Sequence, residues 1–463
     1  MRSSCTGCGS TGEFGPISPD GHPRERTSAV DRQILALAVP ALGALVAEPL
    51  FVLVDSAVVG HLGTAPLAGL ALASTILVTA VGLCVFLAYA TTAAVSRRLG
   101  AGDRAGAMQM GVDGMWLALG VGVALAVALW TGAGWLVGAL GAHDEVARQA
   151  VIYLHWSAPG LPGMLVVLAA TGALRGMQDT RTPLGVAAGG AVVNALLNVA
   201  LVYGLHLGIA GSGAGTAATQ LAMGALLAVV VARGARAAGA RLTPHARGIA
   251  ANARAGGPLL VRTLSLRAAI LVTVWVATGL GAVTLAGHQV VNAVWGLAAF
   301  ALDALAIAAQ ALVGHALGSG DVARTRAVLR RTLQWGVAAG AVLGLVVGGT
   351  AWAYVRLFSA DDDVRAAAIA ALVVAAVTMP MAGWVFVLDG VLIGAGDGRF
   401  LAWAGLLTFV VYLPAALAVR AWAPDGTAGM VWLWVAFAGV FMAARAATTA
   451  WRARGGAWMV TGA

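Results

Sequence analysis

Lysine is missing from this chain of 463 residues, and all 28 of its basic residues are arginine. No G-x-x-x-x-G-K-[ST] phosphate loop can be assembled without lysine, so nucleotide hydrolysis of that kind is excluded. Charge is scarce in general. Only 10% of residues are charged against 60% hydrophobic, far outside the range of soluble domains. Three cysteines are too few for a disulfide framework. Cys5 and Cys8 form a lone C-x-x-C with no second pair to complete a zinc site, and Cys84 falls in an apolar run and reads as packing. No cleavable signal peptide is expected, because residues 1–30 are polar and rich in Gly and Ser.

What the chain has instead is apolar length. Uninterrupted runs long enough to cross a hydrocarbon core of about 30 Å recur from end to end. Hydropathy with Gly, Pro and charge punctuation predicts twelve spans, near 33–59, 67–97, 108–138, 147–172, 183–203, 210–232, 259–281, 286–316, 328–350, 366–393, 400–420 and 429–450. The expected class is an all-α polytopic membrane protein.

The arginines support that count. On a twelve-span reading 22 of them fall on one side, while the other side holds 4, Arg148, Arg356, Arg365 and Arg420. Arg262 and Arg267 open span seven and read as snorkelling anchors. The positive-inside rule then puts both termini in the cytoplasm. Net charge of +9 is thereby explained by topology, with lipid as the partner and no nucleic acid. Arginine in place of all lysine, with abundant Ala and Gly, points to a GC-rich bacterial genome and hence a bacterial plasma membrane.

An internal repeat sets the architecture. Residues 67–103 and 285–321 align without a gap at an offset of 218 and share 13 of 37 positions. Both end in Leu-Gly-x-Gly-Asp, as Leu99-Gly100 with Gly102-Asp103 and as Leu317-Gly318 with Gly320-Asp321. Six spans per copy keep the two modules in the same orientation, so the repeat is parallel and a site is expected between the lobes. The expected division is a flexible tail over 1–30, an N-lobe over 31–232, an arginine-rich cytoplasmic linker over 233–257, a C-lobe over 258–452 and a tail over 453–463.

An acid at the centre of a span costs about 2.5–3.5 kcal/mol on insertion scales, so each one demands a role. Glu48 and Asp55 lie two turns apart on one face of span one, with Pro49 between them and Pro40 before them as candidate hinges. Asp55 reads as a proton- or cation-coupling group, and Glu48 as a relay or structural partner. Asn194 and Asn198, one turn apart on span five, can offer amides to Asp55 or oxygens to a cation. In the second half, Asp303 and Gln310 repeat the seven-residue spacing. Asn292, Trp295, Trp384 and Asp389 complete the candidate cavity lining, the acids for cation recognition and the indoles for cation–π contact. His288, near a helix end, reads as an interface residue.

These residues carry a resemblance. Pro40 … Glu48-Pro49-Leu50 … Val54-Asp55-Ser56-Ala57-Val58-Val59-Gly60-His61-Leu62-Gly63 resembles the multidrug and toxic compound extrusion (MATE) family, in particular its DinF-like branch. So do Trp156-Ser157-Ala158-Pro159, Gly176-Met177-Gln178-Asp179-Thr180-Arg181-Thr182-Pro183 and Leu388-Asp389-Gly390-Val391-Leu392-Ile393-Gly394. The resemblance runs over roughly residues 30–450. It implies a V-shaped pair of six-helix lobes, working as a monomer without a cofactor, that exports amphipathic, often cationic compounds by alternating access. The coupling ion it implies is H⁺, with Na⁺ open. The family's coupling aspartate maps onto Asp55, and its helix-five pair onto Asn194 and Asn198, so this chain has an amide where many relatives carry a second carboxylate.

Two other classes fit the sequence less well. A flippase for a lipid-linked precursor shares the two-lobe plan but calls for several cationic residues in its cavity. An intramembrane prenyltransferase needs an acid-rich magnesium motif, and Asp361-Asp362-Asp363 falls instead in a loop on the arginine-poor side, where it reads as a helix start.

Overall fold

The computed structural model describes residues 23–462, apart from the side chains of residues 23–27 and Glu48. Cys5, Cys8 and the proposed role of the Glu48 side chain lie outside the described residues.

Among the described residues, twelve helices are long and apolar enough to cross a bilayer. They are α1 (Ser28–Gly60), α2 (Thr64–Gly100), α3 (Arg104–Ala139), α4 (Asp144–Gly176), α5 (Arg181–Gly204), α6 (Gly208–Ala237), α7 (Ala246–Gly279), α8 (Ala282–Gly318), α9 (Val322–Leu357), α10 (Asp362–Gly394), α11 (Gly398–Trp422) and α12 (Thr427–Arg454). All but α7, which ends at Gly279, run past both hydropathy limits, because polar residues end a span without ending a helix. Helix α1 is continuous from Pro23, inside the stretch expected as tail. Helix α7 begins at Ala246, so Arg247 and Arg254 of the expected linker are helical. Asp361 is indeed a helix start, its carboxylate accepting from the backbone N–H of Asp363 and Val364.

The two halves pack alike. Helix α4 is the hub of the first, against α2, α3 and α6, and α10 is the hub of the second, against α8, α9 and α12. Helix α1 lies on α5 as α7 lies on α11. Helices α2, α3 and α4 start at Thr64, Arg104 and Asp144, and their counterparts at Ala282, Val322 and Asp362, always at the sequence offset of 218.

The shared Leu-Gly-x-Gly-Asp marks where the lobes meet. A Cβ on Gly100 would collide with the carbonyl of His315, and one on Gly318 with the carbonyl of Arg97. Those four residues are themselves repeat-equivalent, so α2 and α8 cross on a pseudo-two-fold axis. Gly102 and Gly320 hold φ of +79° and +76°, which only glycine adopts cheaply. Asp103 and Asp321 then cap α3 and α9, accepting from the N–H of Gly106 at 2.7 Å and Arg324 at 2.8 Å.

Further ties between the lobes lie in the same arginine-rich half. Asn252 donates to the Met110 carbonyl at 3.2 Å, and the His245 N–H to Asp113 at 3.0 Å. Arg97 donates to the carbonyls of Ala395 at 2.7 Å and Val460 at 2.8 Å. The C-terminal segment is thereby drawn across the junction, with Trp458 buried among α1, α8 and α10 side chains.

Candidate functional site

Asp55 sits near the arginine-poor end of α1 but turns inward, with 4% of its surface exposed. Three other helices converge on it. From α5, the Asn198 amide donates to Oδ1. From α4 and α6, the hydroxyls of Tyr153 and Thr216 donate to Oδ2 at 3.2 and 3.1 Å. Asn194 stands behind this shell, donating to Thr216 at 3.4 Å and accepting from Asn198 at 3.2 Å.

Local irregularities build the shell. Pro159 marks a tight turn at Ala158–Gly160 within α4, four residues beyond the turn that carries Tyr153 and Leu154. Just past Asn198, α5 widens over Ala200–Gly204, where the Leu205 N–H reaches the Ala200 carbonyl at 2.9 Å. Such widened turns are rare and gather at functional sites. Tyr153 and Thr216 were not singled out from sequence, because one hydroxyl on an apolar helix leaves no hydropathy signal.

The Asp55 carboxylate borders a cavity of about 230 Å³ walled mainly by apolar side chains such as Leu77, Val78 and Met164. Asp303 enters it from the other lobe, since α8 packs on α1 and α2. Tyr89 and Arg175 line it as well. Arg175 lies beyond the expected span 147–172, yet it is on the last turn of α4 and is 9% exposed. The turn that follows is the Gln178–Pro183 motif. There Asp179 accepts from the N–H groups of Arg181 and Thr182, both at 3.0 Å, and starts α5.

Other expected lining residues are elsewhere. Gln310 donates to the Tyr89 carbonyl at 2.8 Å, an inter-lobe tie. Trp295 packs edge-on against Trp434 and Phe437, with ring centres 5.8 and 6.0 Å apart, and Trp384 joins the same C-lobe core. Asn292 is half-buried and does not line this cavity. His288 is not an interface residue: it is buried against Trp434, and neither ring nitrogen has a partner.

Asp389 requires the largest correction. It is no free acid for a cation, because Arg262 holds it at 2.6 Å and Arg445 grips the same oxygen. Arg262 is accordingly a buried ion-pair partner and not an anchor. The cation-recognition reading of Asp389 fails for a simple reason: hydropathy sees the acid in its span and cannot see two arginines arriving from other helices.

The repeat shows how one-sided the site is. At the offset of 218, Asp55 corresponds to Thr273, Asn194 to Tyr412, Asn198 to Ala416 and Thr216 to Trp434. In the C-lobe Thr273 and Tyr412 share a hydroxyl–hydroxyl bond of 2.6 Å inside a closed core. The acid and its amides occur in one copy only. Prolines 40 and 49 lie within the continuous α1, on the stretch that leads to Asp55.

Comparison with known proteins agrees with this architecture. The MatE family model matches residues 40–200 and 258–417, one match in each lobe. Protein DETOXIFICATION 44, chloroplastic, of Arabidopsis thaliana is 32% identical over 95% of this chain and 85% of its own length. DNA damage-inducible protein F of Escherichia coli strain K12 is 27% identical over 79% of this chain and 81% of its own. Among solved structures, the outward-facing conformation of a multidrug resistance MATE family transporter of the MOP superfamily superposes with a TM-score of 0.83. That protein is 20% identical, and the match covers 93% of this chain and 96% of that one.

Proposed function

This chain belongs to the MatE family, and from that premise we propose that it is a secondary active antiporter exporting amphipathic, often cationic compounds in exchange for H⁺. We place it in a bacterial plasma membrane with both termini cytoplasmic, and within the family in the DinF-like branch, on the motifs around Asp55 and Gln178–Pro183. The observation that carries the reading is Asp55: a carboxylate inside a membrane span, on the wall of a cavity, whose donors among the described residues are all neutral.

The chemistry of that shell suits a proton. With the carboxylate ionised, three donors satisfy it at no cost in opposing charge. Once protonated, it needs an acceptor. The Asn198 Oδ1 is buried without a partner, so a turn of the amide exchanges a donor for an acceptor. Asn198 can therefore meet either state of Asp55 without a proton of its own, which a second carboxyl group could do only by changing its own protonation. Gaining a proton also removes the cost of intramembrane charge and frees α1 to bend at Pro49 or Pro40. The lobes are tied together in the arginine-rich half, so we read the cavity as facing the opposite, outer side. A proton gradient then acts through its differential affinity for the outward and inward states.

A lipid-linked precursor fits less well. Its pyrophosphate would meet a single arginine opposed by Asp55 and Asp303 in a small cavity.

Ethidium efflux from proteoliposomes, under imposed pH or sodium gradients, tests the proposal. Wild type should respond to the pH gradient, and Asp55→Asn should lose at least about tenfold of the driven rate, the loss of a charge-assisted interaction. Asp55→Asn pumping like wild type would refute the role of Asp55, and a response to sodium alone would replace the ion.

A further inference from the structure

Arg175 has no hydrogen-bond or ion-pair partner among the described residues. It is nine-tenths buried, lines the Asp55 cavity, and donates no hydrogen bond to any described residue. The other two deeply placed arginines, Arg262 and Arg445, both end on Asp389. A buried guanidinium carries five donors and loses water without compensation unless something accepts from it. Asp303 lines the same cavity, also without a hydrogen bond or ion pair to any described residue. The Asp55 end, by contrast, is already saturated with protein donors.

We propose that Arg175 receives a carboxylate of the transported molecule while Asp303 faces its cationic group, so that the cavity prefers amphipathic zwitterions to the corresponding simple cations. This deepens the reading of the cavity as the transport site and rests on it. Arginine's planar fork matches a carboxylate with two parallel bonds, and a wall of apolar side chains strengthens that contact by excluding water. A cation lacking the acid would leave Arg175 unpaired and would be repelled by it. A zwitterion satisfies both unpartnered groups, and the apolar walls take its body.

The test is equilibrium binding to the purified full-length protein of Nα-dansyl-lysine and of its methyl ester, read by dansyl fluorescence. The two probes keep the same ammonium and aromatic body and differ only in the carboxylate. Wild type should bind the acid about tenfold more tightly than the ester. Arg175→Gln should abolish that preference by weakening the acid while tightening the ester, which no longer meets a repelling charge, and Arg175→Lys should retain part of it. Equal binding of acid and ester by wild type would overturn the proposal. So would an Arg175→Gln variant that weakens both probes alike, the mark of a purely structural arginine. If Arg175→Gln does not fold, the wild-type ratio and Arg175→Lys decide. Binding needs no gradient, so failure of ethidium efflux would count against the antiport reading and leave this result standing.

Discussion

Arg331 of α9 holds Asp31 of α1 through two parallel contacts, Nε to Oδ1 at 2.5 Å and Nη2 to Oδ2 at 2.6 Å. Trp335 adds its indole N–H to the same carboxylate at 2.8 Å. Asp31 thus fastens one end of α1 to the C-lobe, while Asp55 fastens the other end to the N-lobe. Between the two fastenings lie Pro40 and Pro49, so a bend in α1 pulls on both lobes.

The Asp31 contact should help keep the arginine-rich end closed. Both partners are partly exposed, so its net worth is about 1 kcal/mol, enough to shift a two-state ratio about fivefold. Spin labels at the exposed positions Arg236 and Arg326, one in each lobe, report the separation of the lobes at that end. Arg331→Gln should raise the population at longer distance, and the exchanged pair Asp31→Arg with Arg331→Asp should bring part of it back. Unchanged distance distributions in Arg331→Gln would show that the contact biases nothing.

Much of this was legible because lipid makes strict demands. Twelve spans, the parallel repeat and the presence of Asp55 inside a span follow from apolar length, arginine placement and internal repetition. The repeat's Leu-Gly-x-Gly-Asp was visible as a pattern, and the structure supplies its reason in the α2–α8 crossing and two capped helix starts. What stayed hidden was pairing across distant helices. Asp389 looked like a free acid until Arg262 and Arg445 reached it, and Arg175 looked like a loop residue because it sits at a helix end. Tyr153 and Thr216 are ordinary until the fold brings them to Asp55.

Asn198 should matter more than the two hydroxyls. It supplies one oxygen of Asp55 alone, while Tyr153 and Thr216 share the other. Removing a donor to a buried charged group costs about 1.5–3 kcal/mol. Asn198→Leu should therefore slow pH-driven efflux by about tenfold or more, and Tyr153→Phe by only a few-fold, since Thr216 remains. Equal losses in the two variants, measured as initial rates in proteoliposomes, would remove Asn198 from its special place.

Asp389 should behave as a structural residue. Asp389→Ala leaves Arg262 and Arg445 buried without their acid, a defect that costs about 3–5 kcal/mol. Thermal unfolding in detergent should shift clearly downward, with Asp389→Asn intermediate. The fraction that stays folded should still bind ethidium with affinity near wild type. A stable Asp389→Ala protein that has lost ethidium binding would return Asp389 to the recognition site.

The crossing of α2 and α8 makes a prediction about symmetry. Gly100 and Gly318 each press on a carbonyl of the opposite lobe, His315 and Arg97 respectively, so a methyl group at either place pushes the same interface apart. Gly100→Ala and Gly318→Ala should both shift the Arg236–Arg326 label distances toward the state opened at that end, and by similar amounts, although the residues lie far apart in sequence. Gly102→Ala is the control. Its φ of +79° makes alanine cost about 1 kcal/mol, but no atom of the other lobe lies within reach of its Cβ, so stability should fall without movement of the lobes. If Gly102→Ala opens the junction as far as Gly100→Ala does, loosening of the helix ends is responsible, and the close approach of the two glycines is not what holds the lobes together.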